Sequence, residues 1–326
     1  MFKPKKFRVL IIMTVLILAL AGCGSSTVSK NSNKNITIAT AGTGGAFYPI
    51  GAALAKQINN SKTGIRITNQ ASGGSVENVR LMENKEVEMA MLGGDSAQGA
   101  FDGTGEFQGK SHKDLIRGVF SMYSQPLSLV TFESSKINSF SDLKGKRIAV
   151  GAPGSGSEVK SKIVLEDLGL HYDKDVKQQY LSFAEAVEGM KDGHIDAAFV
   201  WAGLPVPAIQ DLATVKKIKL ISFTDEEIQK VIKGNSFMYH EVIPGGTYKG
   251  INEEIQTLAV NTQLVVRADV SEDTVYKFTK YVMEHLDSIH QAHKSMEELT
   301  KDTATNKLIQ LHPGAEKYYK EAGILK

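Results

Sequence analysis

Cysteine occurs once in the 326 residues, at Cys23, so no intrachain disulfide can form and no thiolate cluster can hold zinc or an iron–sulfur centre. Tryptophan also occurs once, at Trp201. Only 8 prolines are present and charge is dispersed, which excludes a proline-rich or low-complexity chain and points to a continuous globular body. Beyond the N-terminal stretch no apolar run approaches the roughly 18–20 residues needed to span a bilayer. Charge of one sign does not dominate either. The formal net charge is +2, and Lys3, Lys5, Lys6 and Arg8 crowd the N-terminus; without those four, 34 Lys and Arg (38 less 4) face 36 Asp and Glu. Such a balance leaves no electrostatic footprint for nucleic acid.

The cationic N-terminus is followed by an apolar run from Val9 to Ala21 and then by Gly22-Cys23. A basic segment, a short apolar segment and small residues at the junction predict a secretory signal over residues 1–22. Leu20-Ala21-Gly22-Cys23 resembles a bacterial lipobox. That resemblance implies that Cys23 is diacylated, palmitate being a typical chain, and becomes a lipid-anchored N-terminus on the outer face of the cytoplasmic membrane. An extracytoplasmic address disfavours ATP or NAD chemistry, and no cofactor is expected. Residues 23–35 are polar and aperiodic, which predicts a flexible tether.

The body from about Ile36 onward has roughly 290 residues, enough for two lobes. Short β-branched runs alternate with helical patterns, as in βαβ units with mainly parallel strands. Strands are expected at Ile36–Thr40, Ile65–Asn69 and Met89–Leu92, with helices at Phe47–Asn59, Ser75–Asn84 and after Asp95. Two further strands, Ile116–Met122 and Leu127–Phe132, are separated by Gln125-Pro126, where proline biases its predecessor to an extended form and a lobe crossing fits. A second series runs from Leu143–Val150 through helices near Glu158–Leu168 and Phe183–Asp192 to strands at Ala197–Trp201, Ile218–Phe223 and Leu258–Val266, and helices follow from Asp273. The pattern predicts an α/β chain of two lobes with a cleft. Lobe 1 comprises residues 36–125 plus about 258–326 and lobe 2 residues 126–223. Residues 224–257 form a return region of unassigned lobe, with the crossing anywhere between Ser222 and Leu264.

Two strand–glycine loop–helix junctions dominate: Ala41-Gly-Thr-Gly-Gly-Ala-Phe-Tyr48 and Gly151-Ala-Pro-Gly-Ser-Gly-Ser-Glu158. Glycines let a backbone approach a ligand, and the following helix offers unpaired N–H groups. Thr43, Gly44, Gly45 and Tyr48 in the first, and Ser155, Gly156 and Ser157 in the second, are therefore candidate ligand contacts facing each other across the cleft. Their hydroxyls and N–H groups suit a carboxylate, sulfonate or phosphonate without a buried lysine. Neither loop completes a dinucleotide or P-loop fingerprint. Around Ala71-Ser-Gly-Gly-Ser-Val-Glu-Asn78, helix capping competes with a cleft contact from Ser72. Asp95 either caps the helix it opens or meets a ligand ammonium. Tyr123 and Gln125 beside the crossing could line the cleft or form a surface turn. Trp201 and Gly203, at the carboxyl end of a strand, are either core or ligand platform. Ser155 and Ser157 miss the Gly-x-Ser-x-Gly nucleophile pattern, and His290 and His293 lack a zinc motif, so neither catalysis nor a metal is expected.

Ordered blocks carry a family resemblance: Ile38–Gly51, Ala71–Asn78, Gly93-Gly-Asp-Ser-Ala97, Phe140–Arg147, Val150–Glu158, Asp196–Gly203 with Pro205, and Ile243–Tyr248. They resemble the TAXI family, the solute receptors of tripartite ATP-independent periplasmic (TRAP) transporters. The resemblance implies a two-lobed periplasmic-binding-protein fold of the second type that closes on a small organic acid or amino acid, of the glutamate or 2-oxoglutarate type. It implies delivery to a separate TRAP permease by a monomeric, non-enzymatic receptor. Gly94, before Asp95, departs from the polar residue common there. The Phe140–Lys146 and Gly151–Gly156 segments are also shared with ABC-type receptors for sulfonates, which makes an ABC-type receptor for a sulfonate-like anion the alternative.

Overall fold

The computed structural model describes residues 34–306 and 308–325; the signal segment, Cys23 and the tether as far as residue 33 lie outside them. Strand β1 (Asn35–Ala39) buries Ile36 and Ile38, and α1 (Phe47–Asn59) packs Phe47, Ile50, Leu54 and Ile58 at helical spacing onto the sheet. Strand β2 (Arg66–Gln70), α2 (Ser75–Glu83), the wholly buried β3 (Met89–Gly93) and α3 (Gly94–Asp102) complete the first series. In it β2, β1 and β3 run parallel.

Next comes β4 (Ile116–Phe132), one strand of 17 residues rather than the two expected. Pro126 does not break it, because Pro126 sits opposite Ala259 at the crossing and pairing with the second lobe starts only at Leu127. The second series holds β5 (Arg147–Ala149), α4 (Gly156–Asp167), α5 (Tyr172–Asp175), β6 (Lys177–Gln179), α6 (Phe183–Lys191), β7 (Ala197–Trp201), α7 (Pro207–Val215), β8 (Ile218–Leu220), α8 (Asp225–Gly234) and β9 (Tyr239–Ile243). Strand β10 (Ile255–Arg267) then returns, followed by α9 (Glu272–Glu284), α10 (Leu286–His290) and α11 (Pro313–Glu321).

The strand order is β2-β1-β3-β10-β4-β7-β5-β6, with β8 on β4 and β9 on β10. Antiparallel β4 and β10 run through both halves and carry a register shift between Asn261 and Gln263. One core joins Ile36, Leu54 and Phe120 to the C-terminal helices, where Phe120 stacks on Phe278 at 6.2 Å and the Tyr319 hydroxyl donates to the Val119 carbonyl. Another gathers Leu129, Phe140, Ile148, Phe199 and Val231. Leu258 and Val260 pack in the second core, and the register shift of β10 between Asn261 and Gln263 falls within the Ser222–Leu264 window. Ile228, Val231, Ile243 and Ile255 draw the return region to the second lobe as well. This is the two-lobed periplasmic-binding-protein fold of the second type, with a two-strand hinge.

A carboxyl cluster sits on that hinge. The Ser124 N–H donates to Glu298 at 2.8 Å, and the Ser124 hydroxyl donates to Glu241 at 3.3 Å while accepting from Tyr239. Loss of water pushes the Glu298 carboxyl up to about 7; the Ser124 N–H works against this and Glu241 adds to it. A carboxyl raised in the folded state binds more protons there than in the unfolded chain. The stability it contributes is therefore fully present below about pH 4.5 and is lost as pH rises towards 7. Glu298→Gln is expected to flatten the fall in melting temperature across that window. Parallel curves for parent and variant would show that Glu298 titrates as in water.

Candidate ligand-binding site

The lobes meet through backbone, and glycine makes the approach possible. A Cβ at Gly44 would lie 2.7 Å from the Ala184 nitrogen, and the Gly44 carbonyl accepts from the Ala208 N–H at 3.1 Å. Gly73 and Gly74 lie against Pro153 and Ser155, and the Glu77 N–H donates to the Gly154 carbonyl at 3.0 Å. The first glycine loop thus faces the start of α6, and the second faces the turn before α2. Between these two seams lies a cavity of about 70 Å³. That is small beside the several hundred Å³ of a cofactor-sized site.

Four helices begin at this cavity: Phe47, Ser75, Gly156 and Phe183 are the first residues of α1, α2, α4 and α6, and all four line it. The N-caps of α1 and α2, Ala46 and Gly74, supply no side-chain acceptor, although the Glu77 N–H in the first turn of α2 already donates to the Gly154 carbonyl and Pro49 in α1 has no N–H. Further donors converge. Trp201, 2% exposed, has an indole nitrogen with no hydrogen-bond partner among the described residues. A Cβ at Gly156 would lie 3.0 Å from the Ser96 hydroxyl, 3.1 Å from Lys160 Nζ and 3.2 Å from the Ser75 hydroxyl. No aspartate or glutamate is among the lining residues. The arrangement is suited to a small oxyanion.

Lys160 is the strongest group in it. It is 1% exposed, and its Nζ lies 3.4 Å from both carboxylate oxygens of Asp95 and 5.6 Å over the Trp201 ring. Lys160 comes from α4 in the second lobe and Asp95 from α3 in the first, so the pair spans the cleft. Burial of either charge requires the other; removing one partner of such a pair costs about 3–5 kcal/mol. The expectation of a site without a buried lysine is therefore corrected. The readable signal was the buried stripe of α4, Gly156, Ser157, Lys160, Ser161, Val164 and Leu165, which places a cation on an inward face. Asp95 does not cap α3, whose N-cap is Gly93, and the ammonium it meets is the protein's own.

Of the other residues singled out in the sequence, Gly45, Ser72, Gln125, Ser155, Gly156, Ser157 and Trp201 surround the cavity. Ser155 also caps α4 by accepting from the Glu158 N–H. Gln125 donates to the Thr262 hydroxyl at 2.8 Å. Ser72 donates to the Thr40 carbonyl and to Asn78 instead of capping α2. Thr43, Gly44, Tyr48, Tyr123 and Gly203 do not line it. Thr43 is exposed, Tyr48 is half-buried beside Asn69, and Gly203 packs against the Tyr123 ring and Ser295. Sequence reasoning missed Ser75, Lys160, Ser182 and Phe183, which reach the cavity only through the way the lobes pair. Among the described residues no group of three His, Cys, Asp or Glu is placed to hold a metal ion.

Comparison with known proteins follows from this geometry. The model of the NMT1-like family matches residues 38–323. The chain belongs to the NMT1-like family. Among solved structures it is similar to a protein of Bordetella bronchiseptica at 15% identity, covering 90% of this chain and 83% of that one with a TM-score of 0.54. It is similar to the binding-protein component of an ABC phosphonate transporter from Pseudomonas aeruginosa, at 14% identity, 80% and 78% coverage and a TM-score of 0.51. A Prochlorococcus marinus protein in complex with methylphosphonate matches at 13% identity, 90% and 100% coverage and 0.51. At these identities the likeness shows the fold. The TAXI assignment is corrected: the matching family is the NMT1-like one, and the neighbour named for its transporter serves an ABC system. The blocks that carried the resemblance are mostly glycine turns and strand ends.

Gly156 offers a direct test of the cavity. Its φ is not in the left-handed region, so alanine suits the first turn of α4, while a methyl there intrudes on Ser96, Lys160 and Ser75. Gly156→Ala is expected to leave the melting temperature close to that of the parent and to lower affinity for a small oxyanion at least tenfold by calorimetry. Unchanged affinity would place the ligand elsewhere.

Proposed function

We propose that this NMT1-like protein is an extracytoplasmic receptor that captures a small organic oxyanion between its lobes and passes it to an ABC-type membrane transporter. The observation that carries the reading is Lys160: a buried cation in a cavity with four helix N-termini, and, among the described residues, an indole N–H without a partner and no carboxylate in the lining. The solute-binding fold supports it, as do the likenesses to the phosphonate-transporter component and to the protein in complex with methylphosphonate. The small cavity favours a sulfonate, phosphonate or short carboxylate. No histidine lines it, which favours a receptor over a hydrolase built on Ser155 or Ser157. The mechanism is closure about β4 and β10. An anion that satisfies donors from both lobes binds the closed form better than the open one, and that difference alone shifts the population.

A calorimetric and thermal-shift screen of alkyl sulfonates, phosphonates and short carboxylates tests this. A true ligand at about 100 times its dissociation constant adds roughly 2.7 kcal/mol of stability. Lys160→Met is expected to weaken that ligand by about 10–100-fold, the range of a charge-assisted hydrogen bond. Retained affinity in Lys160→Met would remove the basis of the reading.

The lipid anchor belongs to the same proposal and rests on the Leu20–Cys23 motif. Two acyl chains hold a protein at a membrane where one does so only weakly. Cys23→Ala is expected to move the protein from the membrane pellet to the soluble fraction with its melting temperature unchanged. A variant still in the pellet would refute the anchor.

A further inference from the structure

We propose that Asp95 sets the charge of the ligand, making the cavity select singly charged anions over doubly charged ones of the same shape. The inference rests on the anion-receptor reading. Lys160 is the only Lys or Arg among the residues lining the cavity, and both oxygens of one carboxylate sit 3.4 Å from its Nζ. Asp95 is nearly as enclosed as its partner, with side-chain exposures of 6% and 2%. An anion held by Lys160 Nζ therefore lies within about two hydrogen-bond lengths, on the order of 6 Å, of a fixed negative charge.

The consequence follows from how the energies scale. Removing an ion from water costs in proportion to the square of its charge, whereas attraction to Lys160 and the helix ends grows only in proportion to the charge. Asp95 cancels much of the field that would otherwise offset the larger cost of a dianion. The other carboxylates near the cavity are already engaged on the loops: Glu77 accepts from the Gly73 N–H and Glu158 from the Gly154 N–H. Their charges oppose a dianion in the same sense, but Asp95 is the carboxylate that sits directly on the cavity's cation. The cavity's outlets reinforce this division, since Lys160 faces the cavity while Asp95 faces a separate space of about 550 Å³ beside Gln98 and Phe107. Asp95 thus acts through its charge, without touching the ligand.

Methanesulfonate and methylphosphonate are matched probes, alike in shape and differing in charge at about pH 9, where the phosphonate carries close to two charges. Calorimetry on the parent is expected to favour methanesulfonate. In Asp95→Asn the lost repulsion counts twice for the dianion and once for the monoanion, so the affinity ratio is expected to move at least tenfold towards methylphosphonate. A ratio unchanged in Asp95→Asn, or a parent that prefers the dianion, overturns the inference while leaving an anion receptor in place. If neither these probes nor any short carboxylate binds the parent, the receptor reading falls and takes this inference with it. Should Asp95→Asn fail to fold, the parent alone decides. Raising pH from about 5 to about 9 is expected to weaken methylphosphonate relative to methanesulfonate at least tenfold, and a constant ratio refutes the proposal.

Discussion

The ion pair between Lys160 and Asp95 is the constraint around which the cleft is organised. Neither charge could be buried alone, and they come from opposite lobes, so each lobe presents a group that is fully compensated only when the two are together. The pair fixes how α3 and α4 approach, and it separates the small cavity on the Lys160 side from the larger space on the Asp95 side. Its geometry is loose, at 3.4 Å to both oxygens, so the ammonium is held in place without being saturated. That combination keeps a cation available to a ligand inside an otherwise apolar and hydroxyl-lined space.

Around this pair the backbone does the remaining positioning. Glycines 44, 73 and 74 let main chain from one lobe touch main chain from the other, and backbone hydrogen bonds from Ala208 to Gly44 and from Glu77 to Gly154 tie the same seams. Four helix starts are thereby turned inward at one point. Strands β4 and β10 supply the hinge, and their crossing at Pro126 and Asn261 carries Gln125 to the cavity and Ser124 to the carboxyl cluster.

Much of this could be read in the chain before its structure. Strand–glycine loop–helix junctions are local, and their residues, among them Gly45, Ser155, Gly156 and Ser157, do reach the cavity. The two-lobe architecture followed from alternating periodicities, and the fold agrees. What could not be read is which junction meets which. The first loop packs on the start of α6 and the second on the turn before α2, contacts between segments far apart in the chain. Ser72 to Ser75 looked like a simple cap because capping is decided within a few residues, whereas their role as cavity wall depends on a partner about 80 residues away. Lys160 stands on the inward stripe of its helix, four residues after Gly156 and four before Val164, a position legible from spacing alone. The family was misread, because the blocks that carried the resemblance are mostly turns and strand ends.

In the proposed receptor a bound anion accepts from Lys160 Nζ and from the Trp201 indole N–H. Because Trp201 is the only tryptophan, its indole N–H gives a single resonance in a proton–nitrogen correlation spectrum of uniformly labelled protein. Titration with the best anion from the screen should shift that resonance downfield and saturably, with the same dissociation constant that calorimetry reports, as the indole N–H finally gains an acceptor. An indole resonance that stays fixed while calorimetry saturates would contradict the claim.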